Sequence, residues 1–440
     1  MTIYSQYSYL QKSRFLPRQI SSPPNSNLEM IVVIPVYGNP SIVNSLSSIE
    51  ACFSPNCSVE VILVYYHGKS SPLHIQETNS KLYNQTEKWI KQHAKNTRIR
   101  YHFIQAFALP SKHMGVGLAR KIGMDEAIDR FEQAYLGEET TSLPPSLIIL
   151  SLDAGALVAP NYLVEVRKHF AKHKRIAATS INFQLALKQS TEDPKLREAA
   201  LYYELLTRYH IQGLRYAGHP HAFHTLGSAM AVRAIAYQAQ NGMNRRKANE
   251  AFHFLHKFSV VDQLSEVLST QLSLPITPVP HIPLTPGYFI HQYLTQQVSM
   301  NQLAFHYQVF EDIKHFLQKV PEMYTSSPSL EKFSEPMQYF LQTQGFLKKW
   351  EEIQYHVTSY KSFYKRFFRW FSVLKALQYM HFARDHFSPN QPLPQMAHQL
   401  LALLGKPQSS PSLLGLLNQY RTIQCIISSP DISTSRYGKS

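Results

Sequence analysis

Three cysteines in 440 residues (Cys52, Cys57 and Cys425) are too few for a disulfide framework, which excludes a stapled secreted scaffold and suits a reducing compartment. No apolar run approaches the ~18 residues of a membrane-spanning helix. The opening residues, from Met1 to Tyr7, lack the charged and apolar blocks of a secretory signal, so a cytoplasmic location is expected. Zinc-ligand spacings, a Walker loop and the known nucleic-acid-binding modules are missing as well, and no nucleic acid is expected as a partner. Acidic residues are scarce. There are 29 Asp and Glu against 44 Lys and Arg, a formal net charge of +15. Such a balance favours anionic partners, such as phosphorylated ligands or an anionic membrane surface, or leaves a solvated basic face.

What is present reads as globular, with 44% hydrophobic and 17% charged residues and enough chain for two or three domains' worth of core. Residues 1–28 are polar, with Ser21-Ser22-Pro23-Pro24, and read as an irregular lead-in. From residue 29, apolar β-branched runs at 30–35, 59–65, 99–104, 147–152 and 176–182 alternate with helical patterns at 40–51, 75–93, 117–131 and 160–173. This alternation predicts an α/β fold, a mostly parallel sheet flanked by helices, over residues 29–300. Asp193-Pro194 predicts a helix start, with proline at the first helical position, running to about Gln212. Beyond residue 300 strand signals fade, and residues 301–440 read as a helical C-terminal region.

Three short segments could carry chemistry. Leu147–Leu152 is a buried-strand pattern that delivers Asp153 at its carboxyl end, where ligands sit in open α/β sheets. A carboxylate there can hold a metal and, through it, a phosphate. Pro35-Val36-Tyr37-Gly38 leads from the first strand into a turn and helix, which brings backbone N–H groups near a ligand. Gly115-Val116-Gly117-Leu118-Ala119-Arg120-Lys121 opens a helix, and its glycines permit close backbone approach while Arg120 offers positive potential.

Taken in order, strand-Pro-Val-Tyr, Gly-x-Gly-x-Ala-Arg and strand-Leu-Asp-Ala resemble the nucleotide-binding half of a family 2 glycosyltransferase with the GT-A fold. Thr225-Leu226-Gly227-Ser228-Ala229-Met230, followed by Asn241-Gly242-Met243 and Glu250-Ala251, resembles the segment leading into the Glu-Asp motif of these enzymes, in particular of a Bacteroidetes-type subgroup. The resemblance covers residues 29–260. It implies inverting transfer of a sugar from a nucleotide-sugar donor to an acceptor, saccharide or lipid-linked. Pro35, Val36, Tyr37, Tyr66, Gly115, Gly117, Arg120 and Asp153 would line the donor pocket, Asp153 would hold Mn²⁺ or Mg²⁺ or the diphosphate itself, and Glu250 would act as base or orient the acceptor. The departures sit at substrate-contacting positions. Gly155 replaces the second carboxylate of the Asp-x-Asp motif, Ala251 replaces the usual base, Tyr65-Tyr66-His67 stands where an Asp or Asn meets the nucleotide, and Lys121 replaces an Asn. Glu250 is one helical step, about 100°, from the usual base. His253 or His256 could supplement Asp153, and Lys121 or Arg245-Arg246-Lys247 could replace the metal. The alternative is a catalytically degenerate GT-A scaffold that only binds or regulates. If the base alone is missing, Ala251→Asp should create turnover.

Two further features have plain readings. His219, His221 and His224 are expected to be satisfied or exposed rather than metal ligands. Residues 360–386 carry an aromatic stripe with a basic companion face. The stripe is expected to pack on the rest of the protein, and peripheral contact with an anionic membrane is the alternative.

Overall fold

The computed structural model describes residues 4–136, 142–187, 193–279, 285–298, 303–406 and 412–427. The strands are β1 (Leu28–Val36), β2 (Ser58–Gly68), β3 (Ile99–Leu109), β4 (Ile148–Ser151), β5 (Leu157–Val158), β6 (Ala178–Leu185), β7 (Met230–Arg233) and β8 (Leu264–Leu274). The helices around them are α1 (Tyr4–Ser13), α2 (Ile42–Glu50), α3 (Leu73–His93), α4 (Val116–Tyr135), α5 (Tyr162–Lys172), α6 (Pro194–Tyr216), α7 (Ala234–Ala239), α8 (Glu250–Ser259) and α9 (Pro286–Leu294). The C-terminal region adds α10 (Gln308–Gln318), α11 (Val320–Thr325), α12 (Glu335–Thr343), α13 (Phe346–Tyr355), α14 (Tyr360–Trp370), α15 (Val373–His386), α16 (Leu393–Leu403) and α17 (Leu413–Ile427).

The sheet runs β3-β2-β1-β4-β7-β6-β8-β5. The α/β class holds, but the sheet is mixed. The pairs β1–β2, β1–β4, β2–β3 and β6–β8 are parallel, whereas β7 runs antiparallel to both β4 and β6, and β5 runs antiparallel to β8. The first strand explains the layers. Met30, Val32, Ile34 and Val36 face one core, shared with α2 and α5, while Ile31 and Val33 face the other, shared with α4 and α8. A strand covered on both faces reads as an unbroken apolar run. Gly123 lets α4 lie close to the sheet, because a Cβ there would come within 2.4 Å of Val33 Cγ1.

The chain goes outward from β1 to β2 and β3, then returns to place β4 on the other side of β1. This reversal creates a topological switch point at the carboxyl ends of β1 and β4, the usual ligand crevice of open α/β sheets.

The expected irregular lead-in is corrected by α1 and by the segment after it, which is pinned to α4. The face of α4 opposite the sheet is charged and buried. Arg18 Nε donates to Asp129 Oδ2 (2.7 Å), Arg14 pairs with Glu126, and the Gln19 and Ile20 amides donate to Glu126 (3.0 and 2.8 Å). The lead-in thus supplies the cations and N–H donors that α4's carboxylates need once desolvated.

Asp193 caps α6 as expected, accepting from the Lys195 and Leu196 amides (3.0 and 3.1 Å), and the helix extends past Gln212 to Tyr216. One side of α6 joins the core of the C-terminal helices through Leu201, Leu205, Tyr209 and Leu214. That helical core therefore begins well before residue 300. No described helix is long and apolar enough to cross a membrane.

Residues 360–386 form two helices, α14 and α15. Phe363, Phe367, Phe368 and Phe371 are buried in the C-terminal core, so the aromatic stripe faces protein. The histidines are buried too. His219 Nε2 lies 3.0 Å from the Phe371 carbonyl oxygen, and His221 Nε2 lies 3.3 Å from Asp262 Oδ1. Burial holds His210 down to about 4 and His219 to about 3. Since an exposed histidine titrates near 6.5, the unfolded chain binds protons first as pH falls. The histidines' contribution to stability is therefore full above about pH 6.5 and is lost towards pH 4, by up to about 1.4 kcal/mol per pH unit for each such histidine. A lower melting temperature at pH 5 than at pH 7.5 is expected. Burial pushes the Glu132 carboxyl up to about 7, which acts in the opposite direction, so the same comparison on His210→Phe isolates the histidine part: the difference should shift in favour of pH 5, and no shift would contradict the buried neutral assignment.

Candidate functional site

The crevice at the switch point is built by chain ends that the sheet brings together. Tyr37 follows β1 and packs against Tyr66 near the end of β2, the rings tilted by 36° with centroids 5.2 Å apart. Asn79 of α3 ties the two strand ends, accepting from the Gly38 amide and donating to the Tyr66 carbonyl (both 2.8 Å). Asp153 follows β4, and its turn is held by Asn39 Nδ2 donating to the Ala154 carbonyl (2.7 Å) and by the Gly155 amide donating to Ser45 Oγ (2.8 Å).

At the centre is Arg120, on the first turns of α4 and only 2% exposed. Nε donates to Ser151 Oγ (3.0 Å), Nη1 to Glu250 Oε1 (2.6 Å) and Nη2 to Asp153 Oδ1. Gly227 lies against the guanidinium, where a Cβ would meet Cζ at 2.6 Å. Burial works against the charge of Arg120, but Asp153 and Glu250 more than offset it and its pKa is raised. The same burial pushes the Tyr66 hydroxyl up, so it stays protonated. One guanidinium shared by two carboxylates leaves the triad at a formal −1. Asp153 forms its mouth, with a side chain 44% exposed, whereas the Glu250 side chain is 9% exposed behind it.

Glu250 reaches this position because α8 begins there. Asn249 adopts the left-handed conformation (φ 55°), and the turn rather than the helical phase aims the first residue at Arg120. An acid in a helix's first turn is also favoured by its dipole. Ala251, one step on, is 4% exposed in the apolar core beside Phe254, Leu255 and Phe258. The expectation that Ala251→Asp creates a base is therefore corrected. That position faces the core, and Glu250 faces the crevice.

Other sequence candidates divide. Pro35 and Val36 are buried strand residues, and Val36 packs in the core, so only their backbone borders the crevice. Gly115 and Gly117 admit the chain itself. A Cβ at Gly117 would come within 2.3 Å of the Arg246 carbonyl oxygen, and one at Gly115 within 3.2 Å of Lys247 Cα. The 244–249 loop thus occupies the close approach that the glycines allow. Lys121 is not in the crevice. It pairs with Asp125 (2.9 Å) and donates to Tyr9 (3.2 Å), both in the buried layer beneath α1. Arg245 lies over the Phe15 ring, 5.2 Å from its centroid. His256 stacks on Phe252 at 5.8 Å. His67, at the expected nucleotide-contacting end of β2, is buried and stacks on Phe107 at 4.5 Å.

Among the described residues no group of three or more His, Cys, Asp and Glu converges as an all-protein metal site. The residues present fit a divalent cation in one way only. The half-exposed carboxylate of Asp153 and the negative triad behind it can hold Mg²⁺ or Mn²⁺ that a diphosphate completes. Gly155 cannot supply a second ligand. Its φ is +94°, and a Cβ there would meet Ser41 Cβ and Pro275 Cγ at 3.3 Å. Gly155→Asp is expected to lower stability by about 1–3 kcal/mol, from a strained left-handed backbone, with no gain in Mn²⁺-dependent nucleotide affinity. Denaturant titration and calorimetry check both parts.

Sequence reasoning missed Asn79, Ser151 and Gly227. Only Gly227 carried a signal, its place in the Thr-Leu-Gly-Ser segment. Nothing marks Asn79 or Ser151 until β1, β2 and β4 are side by side.

No protein-family model matches the chain, and no curated protein matches it in sequence. Among solved structures it is similar to S. aureus TarS 1-349, at 12% identity and a TM-score of 0.36, over 73% of this chain and 83% of that one. The same TarS segment in complex with UDP-GlcNAc gives 12% identity and a TM-score of 0.36 over 73% and 81%, and in complex with UDP 11% and 0.35 over 93% of each. A likeness this shallow leaves function to be argued from the site.

Proposed function

We propose that the chain is a GT-A glycosyltransferase related to family 2, which moves a sugar from a nucleotide-sugar donor to an acceptor with inversion. One observation carries the reading: Arg120, Asp153 and Glu250 converge at the β1/β4 switch point, beside the tilted Tyr37–Tyr66 ring pair. The nucleotide lies against Tyr37 and Tyr66, with the strand ends at Pro35 and Val36 beneath it. Asp153 faces the diphosphate. A divalent cation shared between Asp153 and the diphosphate would neutralise charge on the leaving group. Arg120 holds both carboxylates in place. Glu250 takes the proton from the acceptor hydroxyl as that oxygen attacks the anomeric carbon from the face opposite the departing diphosphate. The nucleoside diphosphate leaves, and the new bond has inverted configuration.

A second reading, a binding scaffold without catalysis, is favoured by one feature. Glu250 is largely enclosed and its Oε1 is engaged by Arg120, which leaves little room for an acceptor hydroxyl. Assays of nucleoside diphosphate release from UDP-, GDP-, CMP- and dTDP-sugars, with Mn²⁺ and a panel of saccharide acceptors, separate the two. Acceptor-dependent release lost in Glu250→Gln supports the transferase. Donor binding with no release under any condition supports the scaffold. Neither binding nor release rejects both.

A further inference from the structure

Helix α6 lays a polar stripe along β6 that is cut off from water. Glu204, Arg208, Gln212 and Arg215 follow one another at steps of four, four and three residues, and so share one face of the helix. Contacts at both ends fix where that face looks. The Leu185 amide donates to Glu204 Oε2 (2.9 Å), and Arg208 Nη2 donates to the Phe183 carbonyl (2.5 Å). Arg215 Nη2 donates to Glu266 Oε2 (2.5 Å), on β8 beside Ser180 of β6. The rise from Leu185 back to Ser180 along the strand and from Glu204 to Arg215 along the helix is the same, about 16 Å. Gln212 therefore lies over the middle of β6, between the two arginines. On the far side α17 closes the stripe, with Arg421 Nη2 donating to Glu204 Oε2 (2.7 Å) and Gln424 Oε1 accepting from Arg208 Nη1. His224 joins from the sheet side, edge-on to Phe183 with centroids 5.3 Å apart, within reach of Arg208, Arg215 and Gln424.

This cluster is short of acceptors and of negative charge. Gln212 is 1% exposed, and among the described residues neither atom of its amide has a hydrogen-bond partner; the buried Nη1 of Arg215 has none either. Burial, with Arg208 and Arg215 beside it, holds the His224 pKa well below the usual range, so its ring is neutral and carries one N–H. Gln424 Oε1 is taken by Arg208, which leaves only its Nε2 to serve the ring, as a donor to the bare nitrogen. The His224 N–H has no acceptor among the described residues. Three cations, Arg208, Arg215 and Arg421, meet two carboxylates, Glu204 and Glu266. Burial lowers the pKa of Arg208 despite its pairing with Glu204, whereas Arg120, held between two carboxylates, is raised. Buried donors are seldom left without partners. Water would supply an acceptor but would leave the surplus positive charge uncompensated.

We propose that Gln212 Nε2, Arg215 Nη1 and the His224 N–H hold a small monovalent inorganic anion of the chloride class, which neutralises the buried surplus of positive charge between α6, β6 and α17. The anion joins the sheet to the C-terminal helices from inside. It is independent of the crevice, so it stands or falls apart from sugar transfer.

The test is thermal unfolding of the full chain, dialysed into sodium gluconate and titrated with sodium chloride at constant ionic strength. Once the site fills, each tenfold rise in chloride should raise the melting temperature by about 1.5 °C for a chain of this size, the equivalent of about 1.4 kcal/mol. Gln212→Leu removes the amide at similar volume, and Arg215→Met removes Nη1; both should lose the chloride-dependent rise. Arg215→Met also strands Glu266, so Gln212→Leu decides the matter if that variant does not fold. In crystals soaked in sodium bromide, an anomalous peak within hydrogen-bond reach of Gln212 Nε2 and Arg215 Nη1 is expected. A melting temperature that chloride does not move, or a rise that Gln212→Leu retains in full, would overturn the proposal. Ordered water at that place with no bromide signal would overturn it as well.

Discussion

Replacing Arg120 with methionine is expected to destabilise the protein by about 3–5 kcal/mol and to abolish nucleotide binding. Methionine fills much of the volume, but it leaves the enclosed carboxylate of Glu250 and that of Asp153 facing each other without a cation. Removing one partner of a buried ion pair costs far more than the pair contributes, because the remaining charge has been taken from water. Adding Glu250→Gln to Arg120→Met removes one of the stranded charges and should recover part of the loss. Urea denaturation of the two single variants and the double variant gives that coupling directly. A loss below about 1 kcal/mol for Arg120→Met would mean that the triad is solvated and is not the centre described above.

The Glu250–Ala251 pair gives the second large effect. Ala251→Asp places a carboxylate among Phe254, Leu255 and Phe258 and should cost about 2–5 kcal/mol without any gain in turnover. Glu250→Gln behaves in the opposite way. The glutamine oxygen can still accept from Arg120, so the fold and nucleotide affinity should change little, while a lost general base lowers turnover about 10²–10⁴-fold. Measuring stability, affinity and turnover for both variants separates an architectural position from a chemical one. Turnover created by Ala251→Asp would return the base to the position that the sequence resemblance implies.

That pair also illustrates what the sequence could and could not tell. The 100° step from Glu250 to Ala251 is sound for a continuous helix, yet α8 starts at Glu250, and the left-handed Asn249 sets its direction. Periodicity carries no information about where a first-turn residue points. The strands β1, β2 and β4 were readable because both of their faces are buried, which leaves unbroken apolar runs. The lead-in was not readable. Its contribution is ionic, from Arg14 and Arg18 to carboxylates more than a hundred residues away, and no local pattern records such partners. Lys121 shows the same limit, since its sequence position beside Arg120 suggests the crevice while its contacts with Tyr9 and Asp125 place it on the opposite side of α4. In 360–386 the spacing of the aromatic residues was legible, but only the packed structure separates the buried Phe363 and Phe367 from the solvent-facing Arg366 and Arg369.

The central claim is that the β1/β4 crevice is a donor site. Isothermal titration of UDP, GDP, CMP and dTDP, each with and without Mn²⁺, into the intact chain and into Asp153→Ala tests it most directly. Saturable binding selective for one nucleotide, strengthened by Mn²⁺ and at least tenfold weaker in Asp153→Ala, is expected. Absence of binding by every nucleotide, or binding that Asp153→Ala leaves unchanged, would contradict it.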